Sequence, residues 1–320
     1  MQQQRRNNLA GSLILTLCAV IWGSSFVAQS TGAQFVGPFT FMSLRSLLGS
    51  AFLLPVILVM DTVKKKKGTF VPMDKPKKRY FLKSGLLCGV ALCAASLLQQ
   101  FGIDRGTASG KAGFITALYI LMVPIFSVVL RKRIRPVIWP CAAAAVVGLY
   151  LLCVKGGFSV QSSDFYVLGC AVVYAIHILI IDHVSPHVDG VKLSCMQFFV
   201  TSILSGIGML LFEEVNAELL RGAAVSIAYS GIMSSGVAYT LQILGQQRTE
   251  PTLASMLMSL ESVFALLTGM LVLHEIPTLR EGIGCLIMFA AIIVAQLPDK
   301  KPPVKAVPFE EEVEEKEVSL

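Results

Sequence analysis

One uncharged stretch of the sequence limits what this chain can fold into. Nineteen residues without a charge, Ala112 to Leu130, follow Lys111 and end at the basic run Arg131–Arg135. Such a stretch is long enough to cross a lipid bilayer as an α-helix, and positive charge gathers at the cytoplasmic end of a span. A segment of similar pattern, Glu250–Glu275, follows about 140 residues later. The chain is therefore predicted to be a membrane protein built from two related halves.

The composition also indicates a chain that crosses the membrane many times. Of the 320 residues, 54% are hydrophobic and only 15% are charged, which is outside the range of soluble domains. The net charge of +7 does not indicate a nucleic-acid partner, because the basic residues lie between apolar segments instead of forming one face with aromatic residues. The eight cysteines lie inside apolar segments without metal-type spacing and are predicted to pack as small apolar side chains.

Apolar segments and loop signals predict ten transmembrane helices. They are expected at Leu9–Gln29, Gly37–Met60, Tyr80–Phe101, Thr107–Leu130, Pro136–Cys153, Asp164–Val184, Val191–Phe212, Gly222–Leu244, Pro251–Leu273 and Leu279–Leu297. An odd number of helices in each half gives the halves opposite orientations, so we predict an all-α membrane protein of two inverted five-helix repeats. The first repeat is expected at 1–155, the second at 164–298, and a disordered cytoplasmic tail at 299–320.

The two halves share short sequence matches. A shift of 152 places Ala19–Trp22 on Ala171–Tyr174, and it places Leu44-Arg45 on Met196-Gln197. Inverted repeats are typical of alternating-access transporters, because exchanging the conformations of the two halves exposes one central site to either side in turn.

The basic residues predict the orientation in the membrane. With the amino terminus in the cytoplasm, 21 of the 27 Lys and Arg residues lie on the cytoplasmic side and five lie outside, which leaves Arg45 within a helix. The positive-inside rule therefore places both termini in the cytoplasm. The loop Asp61–Arg79 is expected to contact anionic lipid as well.

Polar and aromatic side chains recur at helical spacing inside the predicted spans. They are Trp22, Ser25 and Gln29 in the first helix, Ser96, Gln99 and Gln100 in the third, and Ser235, Tyr239, Gln242 and Gln246 in the eighth. Amide and hydroxyl groups need hydrogen-bond partners in hydrocarbon. These side chains therefore either line a central cavity or hold helices together, and the sequence leaves both alternatives open.

Three ionisable residues lie well inside predicted spans: Arg45, His177 and Glu261. A charge at the bilayer centre costs about 2.5 to 3.5 kcal/mol on insertion scales, so such residues suggest function. Glu261 has no cation within a helical turn and could take up and release a proton, or join two helices as a neutral or paired group. Arg45 could pair with Glu261, with an anionic substrate group or with backbone carbonyls. His177 follows Tyr174 by one turn and is either a core residue or part of a cavity wall.

The sequence does not contain an enzyme signature. It lacks a glycine-rich phosphate loop, an HExxH motif and a GxSxG motif, and the short outside loops leave little room for a catalytic domain. His183 and His187 have i, i+4 spacing, but Pro186 interrupts the helix. We therefore predict a non-enzyme without a metal or a cofactor, with a small-molecule substrate and membrane lipid as its partners.

Several segments resemble one transporter family. AVIWGSSFVAQ, GPFTFMSLRSLLG, TASGKAGFITALYILMVP and ASMLMSLESVFALLTGMLVLHE, in this order, resemble the EamA branch of the drug/metabolite transporter superfamily. The resemblance covers the chain to about Pro298. It implies a cavity lined by the first, third, fourth, sixth, eighth and ninth helices. The cavity residues that it implies are Trp22, Gln99, Tyr119, Tyr174, Tyr239 and Glu261. Ser262 stands where the family often has proline, which predicts a straighter ninth helix.

The residues and the resemblance together predict a secondary transporter of the bacterial cytoplasmic membrane. The expected activity is export of amino acids or related compounds, coupled to protons or running down the substrate gradient. Two alternatives stay open: uptake of a vitamin, nucleobase or sugar derivative through the same fold, and a membrane scaffold or sensor without transport.

The predicted orientation can be tested by labelling single cysteines introduced into a cysteine-free variant. Gly68→Cys should react with an impermeant reagent from the cytoplasmic side, and Gly157→Cys should react from the outside. The opposite labelling pattern would refute the assigned orientation.

Overall fold

The computed structural model describes residues 2–107, 109–154, 161–272 and 278–297, and all regular secondary structure in these residues is helical. The first repeat contains α1 (Gln2–Ala33), α2 (Pro38–Lys66), α3 (Lys75–Asp104), α4 (Ser109–Ala117), α5 (Tyr119–Val129) and α6 (Ile138–Cys153). The second contains α7 (Ser162–Val184), a short 3-10 turn (Ser185–His187), α8 (Gly190–Phe212), α9 (Ala217–Tyr229), a π-helix (Ser230–Ala238), α10 (Tyr239–Gln246), α11 (Pro251–Met258), α12 (Glu261–Val272) and α13 (Leu279–Gln296). The predicted tail 299–320 lies outside the described residues.

These helices form ten spans, as the sequence predicted. Within the described residues, eight helical stretches are long and apolar enough to cross a membrane, and α6 is a shorter apolar helix. The tenth span is the continuous rod of α9, the π-helix and α10. Three spans are therefore composite: α4 with α5, α9 with α10, and α11 with α12.

The distribution of polar residues is the reverse of that in a soluble protein. Leu210, Val225 and Leu286 are among many large apolar side chains on the surface, whereas Gln100 and Gln197 are fully buried. Apolar side chains face lipid at no cost, and polar side chains lie in the interior. Gln197 Oε1 lies 3.1 Å from His177 Nε2, whereas the Gln100 amide has no hydrogen-bond partner among the described residues. The bundle is thus built for a bilayer.

Helix packing follows the two-fold relation between the repeats. The second span of each repeat packs against its counterpart, α2 on α8, and so does the fifth, α6 on α13. Other contacts also occur once in each repeat arrangement. The third span packs on the second span of the other repeat, as α3 on α8 and the π-helix on α2. The first span packs on the fourth span of the other repeat, as α1 on α12 and α7 on α5. The prediction of two inverted five-helix repeats is confirmed.

Two reciprocal ion pairs join α2 to α8 where α2 ends. Lys64 Nζ lies 2.8 Å from Asp189 Oδ2, and Lys192 Nζ lies 2.8 Å from Asp61 Oδ2. Burial alone would raise the pKa of Asp189, but the hydrogen bond from Lys64 and the backbone bond from Lys192 outweigh it, so the net pKa is lowered. Asp189 therefore stays ionised at neutral pH.

The opposite end of the same helix pair is joined by Glu213. Its carboxylate accepts hydrogen bonds from the backbone N–H groups of Phe39 at 2.9 Å and Thr40 at 2.7 Å, in the first turn of α2. A carboxylate at a helix amino terminus satisfies unpaired N–H groups and complements the helix dipole. α2 and α8 are therefore joined at both ends, across the interface between the repeats.

Two spans are interrupted near their middle. The break between α4 and α5 lies at Leu118, and the break between α11 and α12 lies at Ser259 and Leu260. In the second break, Ser255 Oγ and Ser259 Oγ each bond to a carbonyl three residues earlier, which competes with the regular helical ladder. Ser262 stands after this break, and the expectation that it leaves the ninth helix straighter than in relatives with proline stays a prediction.

Gly23 of α1 permits the close approach of α1 to the second break. A Cβ atom at this position would lie 2.6 Å from the carbonyl oxygen of Glu261 and 2.7 Å from the backbone nitrogen of Ala265. Because both atoms belong to the backbone of α12, they cannot move aside independently.

Gly23→Ala should therefore destabilise the bundle by roughly 1–3 kcal/mol, the usual cost of overpacking. The measurement is thermal unfolding in detergent. The matched control is Gly169→Ala, another helical glycine, where the nearest atom to an added Cβ is Leu98 Cδ1 at 3.6 Å. This control should be neutral or slightly stabilising because alanine favours helix. Equal behaviour of the two variants would contradict the tight packing of α1 on α12.

Candidate functional site

A cavity lies where the two broken spans meet in the centre of the bundle. Its walls come from the first, second, third, fourth, sixth, eighth and ninth spans: Trp22, Phe26, Gln29, Arg45, Gln99, Thr116, Tyr119, Tyr174, Ile178, Ser234, Tyr239, Gln242, Met258 and Glu261. The space that the centres of water molecules can occupy is about 40 Å³. This volume accommodates a few waters, so a larger solute enters only when the helices move apart.

Glu261 and Tyr119 occupy related positions in the two repeats. Glu261 is the first residue of α12 and Tyr119 is the first residue of α5, so each follows a break. The Tyr119 hydroxyl donates a long hydrogen bond of 3.4 Å to Glu261 Oε1. Glu261 is only 5% exposed, and among the described residues no Lys, Arg or His forms an ion pair with it. The carboxyl group is therefore buried with one weak partner.

An aromatic cluster forms the next part of the wall. The rings of Trp22 and Tyr239 meet edge to face with centroids 4.6 Å apart, and the hydroxyls of Tyr239 and Tyr174 lie 2.9 Å apart. Ser96 Oγ continues this chain 3.0 Å from the Tyr174 hydroxyl. Trp22 and Tyr174 are the residues that the internal repeat superimposes, so the two repeats contribute equivalent aromatic groups that both contact Tyr239.

Amide side chains supply hydrogen-bonding groups. Gln99 Nε2 donates to Thr116 Oγ1 at 3.0 Å, and Gln242 Nε2 donates to Gln246 Oε1 at 3.0 Å. Gln242 Oε1 and Trp22 Nε1 have no hydrogen-bond partner within the described chain. Both alternatives left open by the sequence therefore occur together: some polar atoms bind helix to helix, and others are available to a bound molecule.

Arg45 extends from α2 to the π-helix. Its Nε donates to Ser235 Oγ at 3.2 Å and its Nη2 donates to Ser234 Oγ at 3.1 Å. Gly231 of the π-helix allows α2 to approach the π-helix closely, because a Cβ atom at this position would lie 2.9 Å from the carbonyl oxygen of Arg45. The π-helix widens the turn and lets two consecutive serines reach one guanidinium, in keeping with the frequent occurrence of π-bulges at functional sites. The possible ion pair between Arg45 and Glu261 does not form.

Six of the sequence-derived candidates do not line the cavity: Ser25, Ser96, Gln100, His177, Ser235 and Gln246. Ser25 is buried and its hydroxyl has no partner among the described residues. His177 is fully buried, with Nε2 3.1 Å from Gln197 Oε1, so it is a core residue beside Tyr174. The other candidates, Trp22, Gln29, Arg45, Gln99, Tyr119, Tyr174, Tyr239, Gln242 and Glu261, share one cavity.

Five lining residues were missed in the sequence, and most of them follow helical spacing. They are Phe26, Thr116, Ile178, Ser234 and Met258. Each of four lies three or four positions from a candidate that was recognised, which places it on the same helix face. Ser234 adjoins Ser235 instead and reaches the cavity through the π-helix. In the described part of the chain, no group of three or more His, Cys, Asp or Glu residues could hold a metal ion.

Comparison with known families gives one match over both halves of the chain. Residues 9–154 and 161–296 each match the EamA-like transporter family.

Three relatives of similar length are uncharacterized transporters. The relative from Archaeoglobus fulgidus is 29% identical over 292 residues, which is 90% of this chain and 86% of the relative. YoaV from Bacillus subtilis is 23% identical over 291 residues, 89% of this chain and 95% of that protein. The relative from Clostridium kluyveri is 21% identical over 305 residues, 91% of this chain and 94% of the relative.

A solved crystal structure shares the fold. It superimposes with a TM-score of 0.72 at 19% identity and covers 90% of this chain and 96% of its own.

Proposed function

Because this chain belongs to the EamA-like transporter family, we propose that it exports amino acids or related small metabolites across the cytoplasmic membrane by alternating access. The observation that carries the proposal is the central cavity, where one buried carboxylate, aromatic rings and unpaired hydrogen-bonding atoms converge. Such a mixture suits solutes that combine apolar and polar surface.

The inverted repeats support alternating access. The two interrupted spans meet at the cavity, and each break lies beside a residue of its wall, Tyr119 or Glu261. Interrupted helices at the interface of inverted repeats are a common way to build a transport site, because the ends of the broken helices present backbone polar groups to the solute. The firmly joined pair α2 and α8 would stay fixed while the outer halves move.

Ion pairs join the fourth span to the sixth span at both ends. Lys111 pairs with Asp164 at the start of α7, and Lys132 pairs with Asp182 near its end. Thr107 Oγ1 adds a hydrogen bond of 3.1 Å to Asp164 Oδ1. We infer that these two spans move as one unit, since contacts at both membrane faces hold them together.

Glu261 is the candidate for proton coupling. The titratable groups that interact with it electrostatically are Tyr119, Tyr239 and the thiols of Cys18, Cys153 and Cys170. None of these is a cation at neutral pH, and no ion pair with Arg45 forms in the described structure. A carboxyl group in this setting gains a proton when closed off from water and loses it when the cavity opens. A substrate ammonium group could then compete with the proton for the same carboxylate.

We also propose that both termini lie in the cytoplasm, because 21 of the 27 Lys and Arg residues then lie on the inner side. A bacterial plasma membrane is the setting we favour, and the bacterial and archaeal relatives support it.

Glu261→Gln tests the coupling. The amide keeps the shape and the hydrogen bonding of the side chain but cannot titrate. In liposomes, this variant should lose amino-acid transport driven by a pH gradient. It should retain exchange between compartments of equal pH, at higher substrate concentrations, because the amide oxygen still accepts a hydrogen bond from a substrate ammonium group but carries no charge.

The matched control adds Gln99→Glu to the Glu261→Gln protein. This second substitution has the same size and places a carboxylate at a different position in the cavity wall. It should not restore gradient-driven transport to the Glu261→Gln protein. Wild-type gradient-driven transport by Glu261→Gln would remove Glu261 from the coupling mechanism.

A further inference from the structure

Arg45 is a buried cation without a counter-ion in the wall of the cavity. Its side chain is 4% exposed, and no Asp or Glu of the described residues lies within ion-pairing distance. An uncompensated charge in this environment carries a large desolvation cost. Hydrogen bonds to neutral serine hydroxyls offset only part of this cost. A negatively charged partner would therefore bind here with a large favourable free energy.

The guanidinium is held in one orientation with donors to spare. Ser235 and Ser234 occupy Nε and one Nη2 donor, and the ring of Phe41 lies 6.0 Å from Cζ. The N–H groups on Nη1 have no hydrogen-bond partner among the described residues. Because the two serines fix the plane of the group, its free edge is already oriented for a ligand.

The second repeat indicates that the fold itself does not require a cation at this position. The internal repeat places Gln197 of α8 at the position of Arg45 in α2. Gln197 is fully buried and meets His177 Nε2 through Oε1 at 3.1 Å. A neutral amide therefore fills the equivalent place in the same helix pair, and the charge of Arg45 is an addition made in one repeat only.

We propose that Arg45 is the anion subsite of the cavity and binds the carboxylate group of the transported solute. This inference rests on the proposed function and narrows its substrate class to solutes with a carboxylate. The guanidinium edge matches a carboxylate through two parallel hydrogen bonds. When the cavity is open to water, ionised Glu261 in the same wall supplies the opposite charge for an ammonium group. One cation and one anion together favour a zwitterion over a phosphate ester, whose charge of about −1.5 to −2 would exceed what Arg45 alone can neutralise.

The chain offers an internal reporter for binding. It has two tryptophans: Trp22 lies in the cavity wall, and Trp139 lies on the surface of α6 and is 40% exposed. Trp139→Phe therefore leaves Trp22 as the single tryptophan, which can be excited selectively at wavelengths where tyrosine does not absorb. The purified full-length protein in detergent is titrated with each standard amino acid except tryptophan, with its carboxamide and with its N-acetyl derivative, and the Trp22 emission is recorded.

At least one amino acid should bind, and its carboxamide should bind at least about tenfold more weakly, because it lacks the charge that Arg45 recognises. Arg45→Gln, the residue present in the second repeat, should reduce the affinity for the free acid and abolish the preference of acid over amide. A purely structural Arg45 would not alter this preference. The control Ser234→Ala with Ser235→Ala removes the anchors but keeps the charge, so it should retain a preference for the acid.

The possible results separate this inference from the proposed function. Equal binding of acid and amide by the parent protein would overturn the role of Arg45 while leaving amine recognition intact. Binding of N-acetyl derivatives without any amino acid would support the Arg45 subsite and contradict amino-acid export. If no probe binds, both proposals fail. Should Arg45→Gln not fold, the comparison of acid with amide in the parent protein still decides.

Discussion

The separation of a buried guanidinium group and a buried carboxyl group within one cavity is the constraint on which this structure depends. Arg45 and Glu261 line the same small space without forming an ion pair. Direct contact would satisfy both groups and close the site, so the fold must hold them apart. The serines of the π-helix restrain Arg45, and the break before α12, together with Tyr119, positions Glu261. The result is a site whose unsatisfied electrostatics a bound solute can complete.

The inverted repeat explains how the bundle can hold such a site and still open it. Equivalent helices of the two halves pair in the centre, and α2 and α8 are fastened at both ends by ion pairs and by the cap from Glu213. Around this joined pair, the interrupted spans carry Tyr119 and Glu261 into the cavity from opposite directions. The repeats are alike in backbone but differ in chemistry, since Arg45 in one is matched by Gln197 in the other. In the proposed mechanism, related backbones allow the alternation, and unequal side chains give the site its polarity.

Much of this arrangement could be predicted from the sequence. The length of each apolar segment identifies a transmembrane span, and helical spacing identifies the residues that share one face of a helix. Trp22, Gln29 and Glu261 were identified in this way because a polar side chain in hydrocarbon must face inward. The breaks at Leu118 and Ser259 could not be predicted, because they depend on backbone bonds and serine contacts that leave no periodic signal. The partners of Arg45 were missed for a similar reason: a π-helix changes which residues share a face, so the spacing rule failed at Ser234.

The central claim is that this one cavity opens to each side of the membrane in turn, and Met258 offers the most direct test. Its side chain lines the cavity and is 1% exposed. In a cysteine-free variant, Met258→Cys is treated with a small impermeant methanethiosulfonate reagent, applied to one side of oriented membrane vesicles at a time. The account predicts that the cysteine reacts from either side, and that solute binding alters both rates. Reaction from one side only, under all conditions of pH and solute, would contradict alternating access through this cavity.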